Sequence, residues 1–238
     1  MSAIKVQNLS KKYLIADRRY GSLALKEYVQ DVFSLRMIPK REHWGLQDVS
    51  FTADEGDVIG LIGHNGSGKT TLLNLISQIS EPTGGRIEYK GRLGALLGAN
   101  TGFHSELNIL DNIYLSSSIM GFSKAEVSPH VEEIIELSEL NEFVYEPIKH
   151  LSSGMQMKLG VSVVMAVLPE IVILDEVVGT LDEKFRKKLS DFISNHILGK
   201  RTAIMVNHDI EFIKRNCTMI VELEHGKCKS VNKNRIGS

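Results

Sequence analysis

Apolar and polar positions alternate from the start of the chain, where Ile4, Val6 and Leu9 predict an amphipathic strand leading into Lys11, Lys12 and Tyr13. A second strand is expected from Leu46 to Ala53, with a stretch of helical spacing between the two. Leu23, Leu25, Tyr28, Val29, Val32, Phe33 and Leu35 recur there between Gly21 and Pro39, which predicts an amphipathic helix over 23–36. That helix either packs on its own domain or docks on a partner or membrane surface. Val58, Ile59, Leu61 and Ile62 form a short apolar strand, and Leu72, Leu73, Leu75 and Ile76 give the next segment a helical apolar face. A turn at 81–85 precedes short strands at 86–89 and 93–97. Helices are expected at Ile109–Met120, from a capping box at Ser123 and Glu126 through about Leu140, and at Gln156–Leu168. Ile171–Leu174 reads as a strand buried on both faces, and Thr202–Val206 as one more strand. The alternation is that of an α/β domain.

Composition narrows this reading. The chain has 238 residues, enough for one well-cored domain and short for two. A net charge of -1 gives no general pull toward nucleic acid. Its two cysteines, Cys217 and Cys228, are too few for a disulfide framework. The apolar run Leu159–Leu168 stops at Pro169, well short of the roughly 20 residues that span a bilayer. No signal-peptide pattern opens the chain, so a cytosolic site of work is expected. Basic residues are denser from Lys11 to Glu42 and from Lys227 to Arg235, most simply as solvated faces.

The chemistry concentrates after the Val58 strand, where Gly63-His64-Asn65-Gly66-Ser67-Gly68-Lys69-Thr70 matches G-x-x-x-x-G-K-[ST], followed by Thr71. Glycines let the backbone turn tightly and aim successive N–H groups at a phosphate chain. Lys69 supplies a mobile ammonium for the outer phosphates, and the Thr70 hydroxyl is placed to ligate Mg²⁺. The strand before and the helix after are the context that this phosphate-binding loop requires. The Ile171–Leu174 strand ends in Asp175-Glu176, two carboxylates at the edge where ligands bind in open α/β sheets. Asp175 is placed to hold Mg²⁺ through water, and Glu176 to orient or deprotonate an attacking water. The Thr202–Val206 strand ends in Asn207-His208, and His208 is a candidate γ-phosphate contact. Tyr13 either stacks an adenine or is simply half-buried. Residues 151–155, Leu-Ser-Ser-Gly-Met, read by composition alone as a helix cap.

Taken in order, these motifs resemble the ATP-binding-cassette (ABC) ATPases over residues 3 to about 225: phosphate loop, helical insertion, LS-x-G signature, apolar strand with Asp-Glu, Leu181-Asp182, and a strand ending in histidine. The resemblance implies a P-loop NTPase core with an antiparallel β-subdomain and an inserted α-helical subdomain. Residues 1–238 are then one ABC ATPase domain. Residues 1–60 are mostly β-subdomain with a helical insertion at 21–43, 57–100 and 170–225 form the nucleotide-binding core, 104–168 the helical subdomain, and 226–238 a basic tail.

The resemblance further implies ATP and Mg²⁺ as cofactors and a head-to-tail homodimer, each ATP held between the phosphate loop of one copy and the signature of the other. Ser152, Ser153 and Gly154 would meet the γ-phosphate across that interface, and Gly179-Thr180-Leu181-Asp182 would connect the two sites. Tyr13 would stack the adenine, while Lys69, Glu176 and His208, the switch histidine, would act in hydrolysis. The segment between Tyr13 and Trp44, the wording Glu81-Pro-Thr-Gly-Gly-Arg-Ile, the stretch 102–107, the Ser152–Met155 signature and the segment 142–148 look like the subgroup that energises polysaccharide export. That subgroup includes the O-antigen, capsule and wall teichoic acid exporters, which pair with an ABC-2-type permease carrying a lipid-linked glycan at the cytoplasmic face of the bacterial inner membrane. The alternatives are export of another substrate, such as a lipid, drug or peptide, or a soluble, non-transport ABC ATPase. One departure stands out: Gly98-Ala99-Asn100-Thr101 holds no glutamine where most of the family has one, and Asn100 is the substitute expected there.

Overall fold

A computed structural model describes residues 2–16, 40–96, 102–175, 181–207 and 209–234. The predicted helix at 23–36, the Gly98–Thr101 departure, Glu176 and His208 lie outside these residues.

Two sheets carry the fold. β1 (Ser2–Ala16), β2 (Lys40–Asp54) and β4 (Gly84–Tyr89) form an antiparallel sheet in the order β2-β1-β4. The first two make a long ribbon whose register runs from Ser2↔Asp54 to Ala16↔Lys40. β3 (Val58–Ile62), β5 (Leu93–Leu96), β6 (Ile171–Asp175), β7 (Thr202–Val206), β8 (Met219–Glu224) and β9 (Lys227–Lys233) form the second sheet, in the order β5-β6-β7-β3-β8-β9. Its pairings are parallel except at β9, which returns antiparallel along β8.

Alternation along β6 shows why its unbroken apolar run is a strand. Ile171 and Ile173 face a core shared with Ile4, Val6 and Leu9 of β1, while Val172 and Leu174 face the opposite side, among Val161, Val164 and Phe185. A strand sandwiched between two cores has no polar face to present. The helices covering the second side are α5 (Ser153–Val167), α6 (Glu183–Phe192) and α7 (Ile210–Asn216). On the first side lies α1 (Lys69–Ile76), with Leu72, Leu73, Leu75 and Ile76 buried. A separate core around Ile109, Ile113, Ile134, Leu159 and Val163 holds the helical subdomain, built from α2 (Ile109–Ile119), α3 (Lys124–Val127), α4 (Val131–Ser138) and α5.

Three expectations are corrected. The helix expected from Ser123 to about Leu140 opens with its capping box but breaks into α3, a 3₁₀ turn at Ser128–His130, and α4. Pro129 is the cause, because it has no N–H and its ring crowds the preceding turn. Gly84–Tyr89, assigned above to the nucleotide-binding core, pairs with β1 in the antiparallel sheet. Residues 227–233, read as part of a basic tail, form edge strand β9, with Lys229 Nζ 2.9 Å from Glu222 Oε1 and Lys233 Nζ 3.7 Å from Asp54 Oδ2. Lysines on an exposed edge discourage pairing with another chain.

Candidate nucleotide site

β3 delivers the chain into the loop, and glycine is obligatory where it turns. A Cβ on Gly63 (φ 148°) would overlap the Leu223 carbonyl and lie 2.5 Å from Ser67 Oγ. Gly68 (φ 111°) caps α1 from the left-handed region, where a Cβ would meet Leu46 Cδ2 at 2.8 Å and Gly45 O at 2.9 Å. No side chain caps α1 and no acidic residue lies in its first turn, so the positive end of the helix is left for an anion. Lys69 Nζ donates to Gly63 O at 2.7 Å and to His64 O at 3.2 Å, folding its ammonium over the loop.

A cavity of about 480 Å³ opens beside this loop, lined by Asn65, Gly66, Gly68, Lys69, Thr70 and Thr71, by Asp175 at the end of β6, and by Tyr13, His43 and Gly45 from the ribbon. The cavity therefore gathers loop, carboxylate and aromatic ring from three separate parts of the chain. Thr70 and Asp175 bring a hydroxyl and a carboxylate to one space, a hard-oxygen donor set that fits Mg²⁺.

Gly63, His64 and Ser67 support the loop without lining the cavity. Ser67 is wholly buried; its amide donates to His64 O at 3.1 Å, and its carbonyl accepts from Gly226 N at 2.9 Å. The His64 ring lies 5.0 Å from the His225 ring.

Ser152, Ser153 and Gly154 are not part of this cavity. Ser152 is the N-cap of α5, its hydroxyl accepting from Met155 N at 3.3 Å. Asp182 is outside the cavity as well, and both its oxygens are engaged. Oδ1 accepts from Phe185 N at 2.9 Å as the N-cap of α6, and Oδ2 pairs with Lys158 at 2.5 Å. The Lys158 bond and the Phe185 amide hold the Asp182 carboxyl below the usual range. Lys158 also reaches Glu139, at the C-cap of α4, which bonds Lys184 and Lys188 besides. Hydrogen bonds from Lys184, Lys158 and Lys188 bring the Glu139 carboxyl down to about 2. These charges tie the signature helix α5 to the start of α6.

His43 and Gly45 are the cavity residues that the sequence reading passed over. Their only sequence signal is position: they sit at alternate sites on a strand pairing with the Tyr13 strand.

A larger cavity of about 650 Å³ lies between β5 and helices α2 and α5, lined by Leu93, Leu96, Phe103, Ile119, Met120 and Val164 among others. It holds none of the loop residues.

Comparisons with known proteins agree with this geometry. A sequence model described as ABC transporter matches residues 46–179. The teichoic acids export ATP-binding protein TagH of Staphylococcus epidermidis is 38% identical over 230 residues, covering 95% of this chain and 83% of that protein. An O-antigen export system ATP-binding protein RfbB of Klebsiella pneumoniae is 37% identical over 229 residues, covering 96% of this chain and 92% of that one. Among solved structures, an ATP-binding cassette in a dimeric post-hydrolysis state bound to ADP and Pi superposes with a TM-score of 0.71 at 21% identity, covering 98% of this chain and 99% of that chain. An ATP-binding subunit of an ABC transporter gives 0.71 at 20% identity over 97% and 90% of the two chains. By fold, site and sequence, the chain belongs to the ABC transporter family.

Proposed function

We propose that this chain hydrolyses ATP in the phosphate-loop cavity and powers export of a lipid-linked polysaccharide through a separate ABC-2-type membrane permease. The observation that carries the reading is the convergence of Tyr13, the loop and Asp175 on one cavity, in a chain whose relatives are named as export ATP-binding proteins. Among the described residues no helix is long and apolar enough to cross a membrane. The chain then works as a peripheral subunit on the cytoplasmic face of the bacterial inner membrane.

The loop amides and Lys69 neutralise the phosphates, and Thr70 and Asp175 would hold Mg²⁺, which would supply charge stabilisation for phosphoryl transfer. Glu176 takes the proton from the attacking water or orients it, and His208 contacts the γ-phosphate. Ser152, Ser153 and Gly154 face a second copy, which accounts for a signature that stands apart from the cavity of its own chain. In that arrangement two nucleotides close a head-to-tail dimer and hydrolysis reopens it, turning one polyanion into two that repel. Asp182, held by Lys158 and the Phe185 amide, stands in the segment that would connect the two sites.

The test is Glu176→Gln in the complex purified from membranes. ATP binding is retained and turnover falls about a hundredfold or more, the scale of losing a general base. Near-normal hydrolysis removes Glu176 from the role. Co-purification of a permease, with loss of surface glycan when either gene is deleted, supports the export reading; a permease without a glycan effect moves the substrate elsewhere.

A further inference from the structure

The cavity has a wall on β2 that none of the motifs accounts for. In the ribbon His43 stands directly opposite Tyr13, and Trp44 directly opposite Lys12. Side chains alternate faces along a strand, so Tyr13, His43 and Gly45 share one face while Lys12 and Trp44 share the other. Contacts follow that division: Lys12 Nζ lies 4.7 Å from the Trp44 ring centroid, away from the cavity. On the cavity face, a Cβ at Gly45 would lie 2.6 Å from Tyr13 Cε2, 3.2 Å from Tyr13 Cδ2 and 3.3 Å from Thr71 Cγ2. The Tyr13 ring therefore occupies the space that any other residue at 45 would fill. Lys11 Nζ donates to Glu81 O at 2.6 Å and lies 5.4 Å from the Tyr13 ring centroid, within cation–π range.

We propose that His43 and Gly45 are nucleoside-positioning residues. Gly45 leaves the seat in which the Tyr13 ring lies, and His43 presents its imidazole to the base of the same nucleotide. The inference rests on the ATPase reading of the cavity and adds which groups hold the end of the nucleotide opposite the phosphates. Among the described residues Tyr13 and His43 are the two aromatic rings lining the cavity, and the anionic end is claimed by Lys69 and the loop. A base offers a π-face that stacks on any such ring, and an imidazole adds a ring nitrogen able to meet a base edge. Gly45 has an ordinary backbone conformation, so its lack of a side chain answers to the Tyr13 ring and Thr71 rather than to strain.

The experiment compares ATP with inorganic tripolyphosphate, a probe that has the phosphates and no base. KM and kcat for ATP, and Ki for tripolyphosphate, are measured for the wild type and for His43→Ala, His43→Phe, Gly45→Ala and Tyr13→Ala. Expected is a rise in the ATP KM of about five- to tenfold for His43→Ala and Gly45→Ala, the scale of losing one stacking contact. Their kcat and tripolyphosphate Ki stay within twofold of wild type, and His43→Phe restores most of the ATP affinity. An ATP KM for His43→Ala within twofold of wild type, with Tyr13→Ala impaired, overturns the inference alone. A tripolyphosphate Ki that weakens in parallel also overturns it, because the residues would then be supporting the loop. A wild-type complex that neither binds nor hydrolyses ATP overturns the proposed function together with this inference.

Discussion

The Gly226 amide donates to the Ser67 carbonyl at 2.9 Å, so the turn between β8 and β9 braces the phosphate loop from behind. The same glycine accepts from Gln47 N at 2.7 Å, which ties loop, turn and β2 through one residue. His225 and Gly226 both have positive φ, 50° and 77°, as a two-residue hairpin turn of the mirror type demands.

Replacing Gly226 should therefore affect nucleotide as well as stability. Gly226→Ala places a methyl 3.0 Å from Gly45 O at positive φ, whereas Gly199→Ala meets the same backbone penalty at φ 70° with nothing within 4 Å. Each loses about 1–2 kcal/mol from the left-handed backbone. Gly226→Ala alone raises the ATP KM, by roughly three- to tenfold. Equal ATP affinity in the two variants, measured by titration at a temperature where both are folded, would show that the turn does not brace the loop.

Gly60, at the middle of β3, is a packing constraint hidden inside the strand. A Cβ there would overlap Ile213 Cγ2 and lie 3.0 Å from Cys217 Sγ, so α7 rests on bare backbone. Gly60→Ala overpacks this contact and costs about 1–3 kcal/mol. Adding Ile213→Ala removes the clashing methyl, so the double variant should lose less than the sum of the single losses in urea unfolding. Strict additivity would place the strain elsewhere.

The Glu139 hub gives a pH dependence with a defined sign. Its carboxyl has a folded value of about 2, depressed from 4.5, so its contribution is complete above pH 4.5 and fades as pH falls toward 2. At neutral pH Glu139→Gln should cost about 1 kcal/mol, since solvent screens these partly exposed pairs. In denaturant titrations the gap between wild type and variant is constant from pH 7 to 5 and narrows below 4.5. A gap that widens on acidification contradicts the assignment.

Burial raises both thiols, Cys217 to about 12. Since the thiolate is the reactive form, the folded protein at pH 8 should take up at most one equivalent of an aromatic disulfide reagent, at Cys228. The second equivalent appears only with urea. Fast modification of Cys217 in the native state would mean that α7 opens readily.

How far the sequence carries depends on whether the chemistry is contiguous. The phosphate loop, the Ser123 capping box and the double-sided strand before Asp175 are each written in a few adjacent residues, and each appears as expected. Tyr13 could be placed only by its order relative to the loop. His43, Gly45 and Gly226 carry no local signal, because their roles come from strand register and from backbones meeting across the fold. The break at Pro129 is written plainly, but the capping box at Ser123 reads as the start of one helix. β9 is obscured by its lysines, which read as a charged tail, whereas in the fold Lys229 finds Glu222 on β8 and Lys233 finds Asp54 on β2.

The position of β3 bears on how the protein is made. Its hydrogen-bonded neighbours in the sheet are β7 and β8, not the strands that precede or follow it in the chain. While the ribosome is still extending the middle of the chain, the phosphate-loop strand has neither flank, and the Gly226 brace has yet to be synthesised. The nascent chain should thus reach ATP competence late and in one step, once Met219–Lys233 has emerged. Until then its unpaired apolar strand is the segment most in need of a chaperone.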